Sequence, residues 1–383
     1  MRPAAPPVFL VLALYAAGLG AAGQYAKLAV PFEALGAAYP QAGAALGWTV
    51  SLISLPGVAL GLAAGALATR LGLRRSLIGA LAAGAVIAAA QATLPPLPVL
   101  LTLRLVEGAA HLAIVVAAPT LIAQVAPDRW RGAALTLWGT FFGVAFTAVA
   151  VLGLPLVAAA GLPALLWAHA TWMAAIAALL ARILPRAEAD HAAEPPAPHL
   201  LDAHRAVYGS PFLAAPAAGW LFYTLTYVAL LAVLPLTLAP AEGRALAAFA
   251  PLAGIALSMS VGVWLLRRMA AVQVILWGFG LSLALTPFLG LGVAPAVALF
   301  AALGLVQGAS FAAVPELAQT APERALANGA LAQMGNAGNL LGTPVMLATF
   351  GAGGMPALVG LTALAYAAAI AAHLALALRR ARA

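Results

Sequence analysis

The feature that most constrains the fold is a series of apolar runs, each about 20 residues long, that follow one another along the chain. A helical run of this length crosses a lipid bilayer, and Pro, Gly and charged residues punctuate most of the gaps. We therefore predict an all-α polytopic membrane protein. Its twelve spans are predicted at 8–30, 44–68, 76–94, 98–122, 133–157, 162–184, 211–238, 245–266, 271–290, 294–318, 329–349 and 356–378.

The composition supports this prediction and excludes several other classes of protein. The chain is 65% hydrophobic and 7% charged, whereas about a quarter of the residues in a soluble domain are charged. Its net charge of +8 comes from basic residues scattered between the apolar runs, so we expect no nucleic-acid partner. With no cysteine, the chain has no disulfide and no thiol chemistry. The first run is too long for a signal-peptide core and is predicted to be a retained span.

Charge asymmetry predicts the orientation of the spans. With the amino terminus inside, fifteen of the eighteen lysines and arginines fall on the inner side, as the positive-inside rule requires. The one long polar segment, 185–209, then becomes a cytoplasmic linker between two six-span domains, 1–184 and 210–383. We predict a multi-pass protein of the inner membrane, with the bilayer around it and both termini cytoplasmic.

The two domains carry the same short motifs in the same order. LVEGAA at 105–110 recurs as LVQGAS at 305–310, and APDR at 126–129 recurs as APER at 321–324. GLPAL at 161–165 also recurs as GMPAL at 354–358. These matches predict two pseudo-symmetric six-helix bundles, the parallel-repeat architecture of secondary transporters, with a site between them near the midplane.

The loop after the second span carries a family motif. In GALATRLGLRR the matching residues are Gly65, Arg70, Gly72, Arg74 and Arg75, with Thr69 where the family has an aspartate. Arg104 and Gly108 match a second motif, RxxxG, while the glycine- and proline-rich antiporter motif of span 5 is missing. The chain resembles the major facilitator superfamily (MFS) over its whole length. The resemblance implies a rocker-switch carrier whose spans 1, 4, 7 and 10 line a central cavity.

The resemblance also implies a cytoplasmic gate at this loop. Its residues would be Gly65, Arg70, Gly72, Arg74 and Arg75, with Asp128 and Arg129 of the APDR motif nearby. The alternative is that the arginines only anchor the topology, which is their commonest role at such positions.

Span 4 places three ionisable residues inside the membrane. At about 100° per residue, Arg104, Glu107 and His111 share one helix face. A charge facing lipid there would cost at least about 2.5–3.5 kcal/mol, so this face must meet protein or water. One interpretation is an ion pair that only fixes helix packing. The other is a proton and substrate site, with Glu107 as the protonation switch and His111 as a second relay group. A metal site is not predicted, because Glu107 and His111 lack a third ligand.

Other polar residues within the predicted spans are candidate ligands. They are Gln24 and Lys27 in span 1, Tyr223 and Tyr227 in span 7, Gln307 in span 10 and Asn336 in span 11. Each has an ordinary alternative: the lysine can snorkel to the interface, the tyrosines can form an interface belt, and the amides can join helices.

These observations predict a secondary active transporter of a small organic solute. Two positive charges against one negative in the cavity spans favour an organic anion, and the titratable Glu107 and His111 favour proton coupling. We expect a monomer without a cofactor or a metal, and no enzyme, because the spans contain no GxSxG or HExxH motif. The alternatives are a drug or metabolite efflux antiporter and a transport-dead membrane sensor or scaffold.

Overall fold

The structure, a computed structural model, describes residues 6–64, 71–185 and 200–382, and in these ranges it contains helices and no strand. The helices are α1 (Pro7–Ala29), α2 (Phe32–Ala38), α3 (Gly43–Leu60), α4 (Leu73–Gln91), α5 (Leu97–Val125), α6 (Asp128–Gly139), α7 (Phe141–Ile183), α8 (Leu200–Gly209), α9 (Ala214–Thr237), α10 (Pro240–Leu266), α11 (Ala271–Leu291), α12 (Val293–Leu317) and α13 (Ala321–Arg380). Of the helices in the described ranges, ten are long and apolar enough to cross a membrane.

Two of the ten helices are long enough for two crossings each. Helix α7 contains Gly161 at φ 80°, and α13 contains Gly354 at φ 60°, a backbone conformation that glycine adopts without the steric cost other residues meet. The gaps of several residues predicted between spans 5 and 6 and between spans 11 and 12 are therefore wrong, since one glycine makes each break. Dividing α7 and α13 at these glycines gives the twelve predicted segments, whereas the direct count is ten.

Other boundaries also differ from the prediction. Predicted span 5 begins inside α6, and the chain turns at Thr140 before α7 begins. The last part of the predicted linker is the amphipathic helix α8, whose residues Ala203 and Val207 are buried. Its earlier part, residues 186–199, lies outside the described ranges.

Arginines tie the helix ends together on one side of the molecule. Arg74 donates to the carbonyls of Ala181 (2.7 Å) and Leu184 (3.2 Å), which joins the start of α4 to the end of α7. Arg380, at the end of α13, donates to the carbonyl of Pro211 at 2.9 Å, just before α9. Leu10, near the start of α1, belongs to the same apolar cluster as Leu184. Because both described chain ends lie here, we call this the terminal side.

Burial differs between the two sides of the central helices. Residues 20–30 of α1, 226–234 of α9 and 302–306 of α12 are buried, and they lie toward the side opposite the termini. Nearer the termini the same helices expose Leu12 (51%) and Phe311 (51%), and Trp220 is partly exposed. These stretches are therefore more buried than the parts of the same helices that lie nearer the termini.

Candidate functional site

Glu107 lies at the centre of a group of buried ions. Lys27 Nζ lies 2.6 Å from Glu107 Oε1, and Arg104 forms an ion pair with Glu107 Oε2. Gln91 Nε2 donates to the same Oε2 at 2.7 Å. All four side chains are fully buried. Glu107 thus joins α1, α4 and α5 through three hydrogen bonds, two of them from cations.

Arg104 also connects this group to α3. Its Nε donates to the carbonyl of Thr49 at 2.5 Å and its Nη2 to that of Val50 at 3.3 Å. Both carbonyls lie just before Leu52–Ser54, where α3 tightens from an α-helix into a 3-10 turn. Such a change in helix type leaves backbone groups available for other partners. The planar guanidinium can reach one carboxylate and two carbonyls at once.

Two histidines extend the group toward α1. His169 Nε2 contacts the carbonyl of Gly20 at 2.9 Å, and its Nδ1 lies 3.4 Å from Lys27 Nζ. His111 Nδ1 lies 3.2 Å from the carbonyl of Ala21 and 3.1 Å from Gln24 Oε1. His111 therefore bonds to α1, although it shares a helix face with Glu107.

We call Lys27, Gln91, Arg104, Glu107 and His169 the charge cluster. It contains two cations and one anion, and the side-chain and carbonyl partners described for it all come from α1, α3, α4, α5 and α7. The cluster thus lies within the first half of the chain, with one surplus positive charge when the histidine is neutral. Lys27 does not snorkel, because no part of its side chain is exposed.

Tyr25 occupies the other face of α1. It lies two residues, or about 200°, from Lys27. Its hydroxyl is hydrogen bonded to Ser54 of α3, and its ring packs on those of His111 (5.1 Å between centroids) and Phe142 (5.6 Å). Helix α1 therefore carries the charge cluster on one face and an aromatic contact with α7 on another.

A second group of candidate residues lies between the two halves of the chain. Gln307 of α12 donates through Nε2 to the carbonyl of Gly139 at 3.3 Å, and its Oε1 accepts from the Tyr223 hydroxyl at 3.3 Å. Tyr227 stacks on Tyr223 with ring centroids 5.1 Å apart. The structure brings these three candidates together, away from the partners of the charge cluster.

Asn336 lies apart from both groups. Its Nδ2 donates to the carbonyl of Ala332 in its own helix at 2.8 Å, and its side chain packs against Gly57 of α3. One turn earlier, Gln333 donates to the carbonyl of Val58 at 2.8 Å. Both amides thus lie where α13 crosses α3, a place where an amide can join helices.

The predicted gate residues are only partly described. Gly65 and Arg70 lie outside the described ranges, and Gly72, at φ 82°, immediately precedes α4. Arg74 binds the end of α7, and Arg75 and Arg129 are exposed. Asp128 pairs with Arg131 at 2.5 Å, so in this conformation its partner is not Arg74 or Arg75.

Three members of the site were missed in the sequence: Gln91, His169 and Tyr25. Each is a polar residue inside an apolar run, which is the signal that could have found it. Within the described ranges, no group of three or more His, Cys, Asp or Glu side chains could hold a metal ion.

An all-helical chain whose long apolar helices enclose paired ions is a polytopic membrane protein. The model of the Major Facilitator Superfamily matches residues 8–342, and the chain belongs to this family of membrane transporters. No curated protein matches its sequence.

Among solved structures, 245 chains match it, including a variant of the E. coli fucose:proton symporter FucP. That match covers 97% of this chain and 99% of FucP, with a TM-score of 0.66 and 15% sequence identity. At this identity the match shows the fold alone.

Proposed function

We propose that this transporter carries a small organic solute by alternating access and that protonation of Glu107 drives the cycle. The observation that carries the proposal is the charge cluster, in which Lys27, Arg104 and Glu107 are fully buried and joined to one another. A fold does not need such ions, because buried ion pairs can often be replaced by apolar side chains without loss of stability. The second half of the chain supports this point, since Gly304, Gln307 and Phe311 stand at the aligned positions.

Protonation of Glu107 would loosen three helices together. An ionised carboxylate accepts strong bonds from Lys27, Arg104 and Gln91, and a neutral carboxyl group holds these partners less strongly. The surplus positive charge would then increase, which favours the entry of an anion. We infer that a small organic anion and a proton move together.

Helix α1 offers the connection between protonation and movement. Lys27 binds Glu107 on one face, and Tyr25 meets Phe142 on another face, close to Gly139 and its contact with Gln307. A change at Glu107 can therefore move α1 against the contact between the halves.

The test is proton-coupled flux in liposomes that contain a pH-sensitive dye. Wild type and Glu107→Gln are compared against a panel of small organic acids, amines and sugars. We expect at least one compound to drive a proton flux in the wild type, and we expect the variant to lose it. Glu33→Gln is the matched control, because it makes the same change at an exposed glutamate of α2.

Two results would contradict the proposal. Full proton flux in Glu107→Gln would make the charge cluster a structural element, and solute movement without protons in the wild type would remove the coupling. Size-exclusion profiles of both variants distinguish a loss of coupling from a loss of folding.

A further inference from the structure

Two sets of aromatic rings, one from each half of the chain, flank the hydrogen bond between Gln307 and Gly139. From the first half, Trp138 stacks on Phe141 at 4.6 Å, and Phe141 packs edge-on against Phe142 at 5.9 Å. From the second half, Trp220 stacks on Tyr223 at 4.6 Å. Phe311 packs edge-on against Trp220 at 5.0 Å. We call Trp138, Phe141, Phe142, Trp220 and Phe311 the aromatic seam.

The rings of the seam are partly exposed and lie toward the terminal side. Phe311 is 51% exposed and follows Gln307 by one helical turn on the same face of α12. Trp138, Phe141, Phe142 and Trp220 are partly exposed. Because Gln307 reaches across to Gly139, this face of α12 borders the other half of the chain.

Two of the polar groups beside the seam, the Gln307 amide and the Thr140 hydroxyl, are already paired. Gln307 uses its amide on Gly139 and Tyr223. The Thr140 hydroxyl is bonded to the Tyr15 hydroxyl at 2.9 Å and to the carbonyl of Leu137 at 2.7 Å. A solute with many hydroxyl groups would find fewer partners than hydroxyl groups here, and burying an unpaired hydroxyl is unfavourable. A flat unsaturated ring can stack against these faces and needs few hydrogen bonds.

We propose that the aromatic seam binds the body of the transported solute and that this body is an aromatic ring rather than a polyhydroxylated sugar. The inference rests on the proposed transport function and concerns its substrate class. It is independent of the charge cluster, whose described partners do not include the rings of the seam. The solute's charge and its ring are therefore recognised by different parts of the structure.

The experiment measures the binding of two matched trios to the purified full chain. Benzoate, cyclohexanecarboxylate and glucuronate share one negative charge and a six-membered ring, and benzamide, cyclohexanecarboxamide and glucose are their neutral counterparts. Dissociation constants come from ligand-dependent thermal stabilisation, with tryptophan fluorescence as a second readout because Trp138 and Trp220 lie in the seam. We expect the aromatic member of at least one trio to bind tenfold or more tightly than both of its partners.

A pair of variants locates the site. Phe311→Leu keeps an apolar side chain but removes a ring, and it should weaken binding of the aromatic compound about tenfold, or about 1.4 kcal/mol. Phe249→Leu is the control, because Phe249 is also well exposed (59%) but lies on α10. Its affinity should match that of the wild type.

Three results would overturn the inference: equal or tighter binding of the sugar compound, no binding of either aromatic compound, or unchanged affinity in Phe311→Leu. None of them contradicts proton-coupled transport, which depends on the Glu107 experiment. Conversely, if the protein binds an aromatic compound tightly but shows no proton flux, the aromatic binding site is supported and proton coupling is contradicted.

Discussion

At the scale of single residues, the charge cluster is unusual in the imbalance of its ions. Arg104 and Glu107 balance each other, and Arg104 gains two backbone carbonyls as well. Lys27 carries the surplus charge, with Glu107 and His169 as its polar contacts in the described part of the chain. Removing the anion should therefore harm the fold more than removing Lys27.

We predict that Glu107→Gln lowers the unfolding temperature in detergent more than Lys27→Met does. The glutamine variant leaves two buried cations without an anion, and breaking a buried pair in this way costs about 3–5 kcal/mol. The methionine variant keeps the Arg104–Glu107 pair and fills a similar volume with an apolar side chain. Thermal unfolding of the two variants and the wild type gives the order.

Glu33→Gln is again the control at an exposed position, and its unfolding temperature should equal that of the wild type. A lower unfolding temperature for Lys27→Met than for Glu107→Gln would show that Lys27 is essential to the balance of the cluster. The surplus positive charge of Lys27 would then have a structural role and would no longer support an anionic substrate.

The sequence predicted part of this cluster. Arg104 and Glu107 are three residues apart on one helix, so helix geometry allows them to pair, but it does not exclude partners on other helices. Gln91 and His169 come from other helices, and neither helical spacing nor hydropathy tells which polar residues of different spans meet. His111 shows the same limit: its helix face was predictable, but its partner on α1 depends on how the helices pack.

At the scale of helices, glycines set the closest crossings in both halves. A side chain at Gly108 of α5 would collide with the carbonyl of Ile53 in α3, and one at Gly304 of α12 would collide with Gly254 of α10. The first contact joins predicted spans 4 and 2, and the second joins predicted spans 10 and 8. Corresponding helices of the two halves therefore both approach each other at a glycine. Close approach through glycine is typical of membrane helices.

We predict that Gly304→Ala destabilises the protein, because its methyl group would displace the backbone of α10. Gly280→Ala on α11 is the matched control, since a methyl group there meets no atom within 4 Å. The control should be neutral or stabilising by up to about 1 kcal/mol, because alanine favours the helix. Thermal unfolding in detergent compares the two, and equal stability would show that α10 and α12 separate without cost.

The sequence located the spans better than the breaks between them. Hydropathy identifies the apolar runs, but it cannot show that the helix continues on both sides of a single residue. Gly161 and Gly354 are each followed two residues later by a proline, and this shared GxP pattern is the available signal. A positive φ at one glycine then makes the break without a loop.

At the scale of the whole molecule, the structure has two sides, the terminal side and the side opposite to it. The terminal side holds both described chain ends and the arginines that bind helix ends, among them Arg74 and Arg380. From the positive-inside rule we predict that this basic side faces the cytoplasm. The aromatic seam, which lies toward the terminal side, would then be nearer the cytoplasm.

We predict that residues 41 and 381 lie on opposite sides of the membrane, with 381 inside. The chain has no cysteine, so a single introduced cysteine reports its own position. Gln41→Cys, between α2 and α3, should react with a membrane-impermeant maleimide in intact cells, whereas Ala381→Cys, after α13, should react only after permeabilisation. Both positions are exposed, so access to the reagent decides the result. If only Ala381→Cys is labelled in intact cells, the predicted orientation is wrong, and the terminal side with the aromatic seam faces outward.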